Sequence, residues 1–247
     1  MEKKGTPHRT HRVNPQQALA DLRHEFGEHG GVNMSIEAST TFTVLQAGTM
    51  PDIFEGKVGP QMEGCYLYSR HFNPTVYCLS QEISAIEGTE SAYCTASGMS
   101  AISSSIIQCC DPGDHIVASN TLYGGTFALL AEFFPRKNKY QTTFVDIQDF
   151  EAVEAAFREN TKVLYIEMIS NPTLKVADVP RLAEIAHAHG GLLIVDNTFA
   201  PLILSPAALG ADIVVHSLTK FINGVSDIVA GAVCGSKAFI DSLIDLH

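Results

Sequence analysis

Residues 162–196 read KVLYIEMISNPTLKVADVPRLAEIAHAHGGLLIVD, and their spacing decides the fold. KVLYIE and GLLIVD are short, nearly continuous apolar runs, the pattern of a strand buried on both faces. Between them VPRLAEIAHAHG carries apolar residues at helical spacing and closes on glycine, which predicts an amphipathic helix. Strand, crossover helix and strand make a βαβ unit, which implies parallel pairing. The same alternation extends outward in both directions. Upstream, AYCTAS leads to GMSAISSSIIQCC, HIVAS to GGTFALLAEFF, and TTFVD to DFEAVEAAFREN. Downstream, GLLIVD is followed by PAALG, and DIVVHS and IVAGAVCG close the series. Seven runs of this kind predict an α/β domain with a mostly parallel, seven-stranded, helix-covered sheet. Residues 1–90 differ: a helix is expected over QQALADLRHEF, then Gly-, Pro- and Thr-rich loops, then a helix over VYCLSQEISAIEG.

Bulk properties narrow the chemistry. The chain has 247 residues, 45% of them apolar, enough to fill a large single core. Sixteen basic against 27 acidic residues leave a net charge of −11, which argues against a nucleic-acid footprint and against docking on an anionic membrane. Cys65, Cys78, Cys94, Cys109, Cys110 and Cys234 show no metal or redox spacing and read as reduced thiols of a cytoplasmic protein. His187 and His189 are expected on a solvated helix face, their rings pointing apart, and no metal site is expected. The phosphate-loop, dinucleotide and nucleophile-elbow signatures are all absent.

In parallel sheets functional residues gather beyond the carboxyl ends of the strands. There the sequence delivers Gly98 and Met99 at a helix start, Glu167 with Asn171 shortly after, Asp196, and the group Ser217, Thr219 and Lys220. Lys220 follows an apolar strand, so its amine is expected to be partly desolvated, which lowers a lysine pKa and makes it a nucleophile for carbonyls. Alone, a strand-end lysine also snorkels to water, and Asp196 alone is equally a turn or N-cap aspartate. Together with free helix N–H groups and two hydroxyls they define a site for an aldehyde, a protonated ring nitrogen and a phosphate. Pyridoxal phosphate has all three.

The ordered motifs STTF (39–42), YSR (68–70), SGMSAI, TLYGGT, NPTL, VDNTFA, HSLTKF and AGAVCG make the chain resemble the Cys/Met-metabolism, or trans-sulfuration, family of pyridoxal-phosphate enzymes. The resemblance implies a fold-type-I, aminotransferase-like large domain over residues 66–247. It also implies an arm over residues 1–65 that contacts a neighbouring subunit, and a smaller C-terminal domain that this chain lacks. It implies that Lys220 carries the cofactor, that Asp196 pairs with its ring nitrogen, and that Gly98, Met99, Ser217 and Thr219 bind its phosphate. Tyr123 would stack on the ring and assist the leaving group, and Asn171 would sit by the ring's phenolic oxygen. Tyr68 and Arg70 would reach the phosphate in another subunit, which makes a homo-oligomer. The implied reaction is cleavage of a sulfur amino acid, methionine first, with cystathionine cleavage or synthesis and O-acetylhomoserine sulfhydrylation as alternatives. A cofactor-binding chain without turnover is the reading from another class. Val225 and Gly125 depart from residues common in the family, a histidine and, in bacterial members, a cysteine.

Overall fold

Apolar runs become strands and the amphipathic stretches between them mostly become helices. The computed structural model describes residues 13–21, 34–44, 46–55, 57–60 and 66–244. Helices α1 (Pro15–Asp21), α2 (Met50–Phe54) and α3 (Pro74–Glu87) precede the sheet. Then follow β1 (Ser91–Thr95), α4 (Gly98–Cys109), β2 (His115–Ser119), α5 (Gly124–Ala128) and, beyond a π turn, α6 (Phe134–Lys137). The remainder is β3 (Gln141–Val145), α7 (Phe150–Ala156), β4 (Thr161–Glu167), α8 (Val179–Ala188), β5 (Leu192–Asp196), β6 (Ile213–Ser217), β7 (Gly231–Gly235) and α9 (Lys237–Ile244).

The strands form one seven-stranded sheet in the order β1-β7-β6-β5-β4-β2-β3. Only β7 runs against the others, pairing antiparallel with both β1 and β6. Side chains alternate across the sheet. Leu164, Ile166, Leu193, Val195 and Val214 pack beneath α3, α7 and α8, whereas Val163, Tyr165, Ile194, Ile213 and Val215 pack beneath α4, α6 and α9. This two-sided burial is why KVLYIE and GLLIVD are nearly continuous apolar runs. Local chemistry fixes the helix ends. The Asn73 side chain accepts from the N–H groups of Thr75 and Val76 to start α3, and Gly88, at φ 69°, ends it in the left-handed region. Ser97, itself on the cavity's lining, accepts from Ser100 N at 3.0 Å and starts α4.

Two sequence expectations change. PAALG forms no crossover helix but a single 3-10 turn, Ala207–Leu209, ended by Gly210 at φ 111°. Three residues between Pro206 and the left-handed Gly210 are too few to propagate a helix. The helix expected over QQALADLRHEF is seen as Pro15–Asp21, and the rest of that stretch lies outside the described residues. Cys65 lies outside them too, and the five described cysteines form no disulfide with one another. Cys109 closes α4 and Cys110 is buried next to it, where burial pushes both thiols up to about 12. His187 pairs with Asp212 at 2.9 Å, while the His189 ring lies against Phe157, so the two histidines take separate partners. Among the described residues no cluster is arranged to hold a metal ion.

The described parts of the N-terminal arm touch this chain's own α3. Glu37 N donates to Thr75 Oγ1 at 2.9 Å, Asn73 Nδ2 donates to Glu37 O at 2.9 Å, and Thr41 bridges to Tyr68. Among the described residues no helix is long and apolar enough to cross a membrane.

Candidate active site

A cavity of about 830 Å³ opens beyond the carboxyl ends of the parallel strands. Eight of the ten site residues read from the sequence line it: Gly98, Met99, Tyr123, Asn171, Asp196, Ser217, Thr219 and Lys220. They come from five separate stretches of chain, and the sheet order explains why they meet. Strands β4, β5 and β6 are neighbours, and α4 lies over β6 and β7 with its N-terminus at the rim.

Asp196 ends β5 on the α4 face. Its Oδ1 accepts from Thr198 N at 2.9 Å, and the Tyr165 hydroxyl donates to Oδ2 at 3.4 Å. Asp196 therefore closes a turn, as one reading of it had it, and it also lines the cavity. Burial pushes its carboxyl above the usual range, while hydrogen bonds from Thr198 and the proximity of His216 pull the other way. A cation inside the cavity would supply the counter-charge that burial withholds.

Helix α4 presents first-turn N–H groups that have no partner within the helix, a natural anion cup. Gly98 lets this helix end approach β6. A Cβ placed there would stand 2.7 Å from Ser217 Cβ and 2.9 Å from its Oγ, so only glycine brings the helix N-terminus onto the serine hydroxyl. Gly231 does the same from behind, since a Cβ there would collide with Ser97 O. Thr219 behaves differently from Ser217. Its hydroxyl donates to Ala230 O at 3.1 Å and accepts from Ala230 N at 3.0 Å, tying the turn that carries Lys220 to the start of β7.

Lys220 stands on the rim, but the partial burial expected from its strand does not occur: its side chain is exposed. Strand β6 stops at Ser217, and the turn after it lifts Lys220 out of the sheet. The adjoining rim carries Phe221 at 59% exposure and Val225 and Val229 at 70%, so no apolar wall of the described chain closes over the amine.

Tyr68 and Arg70 do not join the cavity. Both are exposed, the Arg70 guanidinium lies 5.5 Å from the centre of the Tyr68 ring, and the Arg70 carbonyl accepts from Tyr93 Oη at 2.7 Å.

Two residues act here without having been assigned a role from sequence. Glu167, at the end of β4, accepts from Tyr123 N at 2.6 Å through Oε1 and from Asn171 N at 2.9 Å through Oε2. One carboxylate thereby fixes both loops that bring Tyr123 and Asn171 to the cavity. Burial raises Glu167 to about 7, against the lowering effect of those two N–H groups and with a further push from Asp196. Thr198 links the two ends of the cup, its N–H bonded to Asp196 and its Oγ1 accepting from Ser217 N at 2.8 Å. Its signal was present in VDNTFA, as a hydroxyl two residues beyond the strand-end aspartate.

The donor set fits pyridoxal phosphate. An anion cup, a half-buried carboxylate and an amine share one cavity of ligand size, and glycine opens the cup. Fold and site together define a fold-type-I pyridoxal-phosphate domain. The comparisons narrow this further: the chain belongs to the Cys/Met metabolism PLP-dependent enzyme family, whose model matches residues 16–245. Methionine gamma-lyase of Arabidopsis thaliana is 58% identical over 236 residues, covering 95% of this chain and 53% of that protein. The O-succinylhomoserine sulfhydrylase of Pseudomonas aeruginosa is 40% identical over 210 residues, covering 85% of this chain and 50% of that protein. Among solved structures, MetB from Corynebacterium glutamicum superposes with a TM-score of 0.82 at 34% identity, over 94% of this chain and 58% of that one. A Campylobacter jejuni structure containing pyridoxyl-lysine phosphate gives a TM-score of 0.84 at 29% identity, over 93% of this chain and 55% of that one. The chain spans about half the length of the curated relatives it matches.

Proposed function

We propose that the cavity holds pyridoxal phosphate and that the chain is the cofactor domain of a cytoplasmic lyase that cleaves sulfur amino acids, methionine to methanethiol, 2-oxobutanoate and ammonia in the first instance. The observation that carries this reading is the convergence of Lys220, Asp196 and the α4 N-terminus on one cavity. When bound, pyridoxal phosphate draws electron density from the substrate Cα, which acidifies the Cα and then the Cβ protons and lets a γ-thiol leave. The chain's own residues supply the rest. Asp196 holds the ring-nitrogen proton in place. Gly98 and Met99 N–H groups with the Ser217 hydroxyl take the phosphate oxygens, and Thr219 braces the turn beside them. Lys220 would hold the cofactor at its aldehyde carbon, and its amine would move protons between Cα and Cβ. Asn171 would lie by the phenolic oxygen, while Tyr123 would cover the ring and offer a proton to the departing sulfur. Glu167 holds the backbone of both. Tyr68 and Arg70, away from their own cavity, reach the phosphate of a neighbouring subunit in a homo-oligomer through the fork that suits arginine to phosphate.

The exposure of Lys220 favours a second reading, in which the chain binds the cofactor without turnover. One experiment separates them. Chain supplied with pyridoxal phosphate and methionine is expected to release methanethiol and 2-oxobutanoate, with none released by Lys220→Ala. Cofactor binding without either product supports the second reading. Product formation undiminished in Lys220→Ala overturns the assignment of the lysine.

A further inference from the structure

On the face of the sheet opposite the cavity lies a buried polar cluster that the reaction does not use. Glu87, the last residue of α3, is 1% exposed, and its Oε1 accepts from His216 Nε2 at 2.8 Å and from Asn197 Nδ2 at 2.8 Å. Asn197 and His216 are 0% and 1% exposed. Alternation along β6 places His216 with Val214 on the α3 side and Ser217 with Val215 on the α4 side. Asn197 directly follows Asp196, and His216 directly precedes Ser217. One carboxylate oxygen therefore ties together the two strand ends whose next residues form opposite ends of the cup, from 110 and 129 positions away in sequence.

Burying this cluster carries a cost. Glu87 Oε2, Asn197 Oδ1 and His216 Nδ1 are enclosed without a hydrogen-bond partner among the described residues. A buried carboxylate with an unpartnered oxygen opposes folding, and well-packed apolar residues in its place are often neutral or better. What the cluster does supply is rigidity. The two strand ends are joined in front through Asn197 N to Val215 O at 2.9 Å and Ser217 N to Thr198 Oγ1 at 2.8 Å, and behind through Glu87. A ligand that engages both ends at once gains affinity when their separation is fixed in advance.

We propose that Glu87, His216 and Asn197 are positioning residues, a clamp on the back of the sheet that sets the separation between Asp196 and Ser217 and so matches the cup to the length of pyridoxal phosphate. This rests on the reading of the cavity as a pyridoxal-phosphate site. The clamp acts on a distance, so it discriminates between a ligand that spans the cup and fragments that occupy one end.

The test measures dissociation constants of pyridoxal phosphate, inorganic phosphate and pyridoxal for the parent chain and for Glu87→Ala, Glu87→Gln and Asn197→Ala. Asn197→Ala keeps the Glu87–His216 pair and serves if Glu87→Ala does not fold. Both alanine variants are expected to bind pyridoxal phosphate roughly tenfold to a hundredfold more weakly, the usual effect of losing an orienting partner, with both fragments bound as by the parent. Glu87→Gln keeps an acceptor oxygen and is expected to restore most of the affinity. Unchanged pyridoxal-phosphate binding in the alanine variants overturns the clamp. So does equal weakening of all three ligands, which would mean that the cup had collapsed, and so does failure of Glu87→Gln to restore affinity. Amide hydrogen exchange without cofactor decides the clamp separately. Asn197 and Ser217 amides are expected to exchange about tenfold faster in the alanine variants while β4 and β5 core amides keep their rates, and unchanged rates at both positions overturn the clamp. A parent chain that binds no pyridoxal phosphate sinks the reading of the cavity, and the proposed match to cofactor length with it.

Discussion

Replacing Glu167 by glutamine tests how the site holds its loops. The carboxylate accepts two backbone N–H groups, from Tyr123 at 2.6 Å and Asn171 at 2.9 Å. A glutamine offers one oxygen and turns an NH₂ toward the other N–H, a pH-independent loss of about 1–3 kcal/mol for one buried donor left unpaired. The pH-dependent part has a definite sign. Burial raises the Glu167 carboxyl from 4.5 to about 7. Below 4.5 it is protonated in both folded and unfolded chains. Between 4.5 and about 7 the folded chain keeps a proton that the unfolded chain has lost, so stability falls as pH rises. At about 1.4 kcal/mol for each pH unit, that window carries on the order of 3 kcal/mol. His115 acts in the opposite direction. Burial lowers it from 6.5 to about 4, so the stability it contributes is present above 6.5 and is lost as pH falls toward 4. The parent's own pH curve therefore blends opposing effects, and the difference between parent and variant isolates Glu167. Urea unfolding of both proteins across this range is expected to show the parent's advantage over Glu167→Gln shrinking by on the order of 3 kcal/mol as pH rises. A difference that stays flat to within about 1 kcal/mol would refute the reasoning.

Gly98→Ala places a methyl 2.7 Å from Ser217 Cβ, so it is expected to cost about 1–3 kcal/mol of stability and to weaken inorganic phosphate and pyridoxal phosphate together, as titration would show. Arg70→Ala is expected to weaken cofactor binding even though Arg70 lies outside its own chain's cavity, and mixing it with Lys220→Ala is expected to return some binding sites or activity. If mass measurement confirms that subunits have mixed and neither rises above parental values, the shared site is wrong.

The sheet was legible because its strands are buried on both faces, which forces the apolar runs KVLYIE, GLLIVD and DIVVHS, and because βαβ spacing separates them. The direction of β7 was not legible, since IVAGAVCG reads the same in either sense and only its pairing with β1 and β6 reverses it. The cavity's polar groups were found because strand ends in such sheets carry function, and eight of the ten named residues lie together. Lys220 was read as half-buried from the strand before it, but exposure is set by what lies across the rim, which the strand's own sequence does not describe. Glu167 stood at a strand end, yet its two acceptor bonds reach loops 44 and 4 residues away and depend on the fold. Glu87 was hidden more deeply, as one carboxylate in an ordinary amphipathic helix whose partners lie more than a hundred positions on.

The account stands most directly on where the cofactor attaches. Chain incubated with pyridoxal phosphate, reduced with borohydride and cut into peptides should carry one pyridoxyl group, on the peptide containing Lys220, and lose it in Lys220→Ala. A pyridoxyl group mapped to any other lysine of the parent, or found on none, would contradict the account.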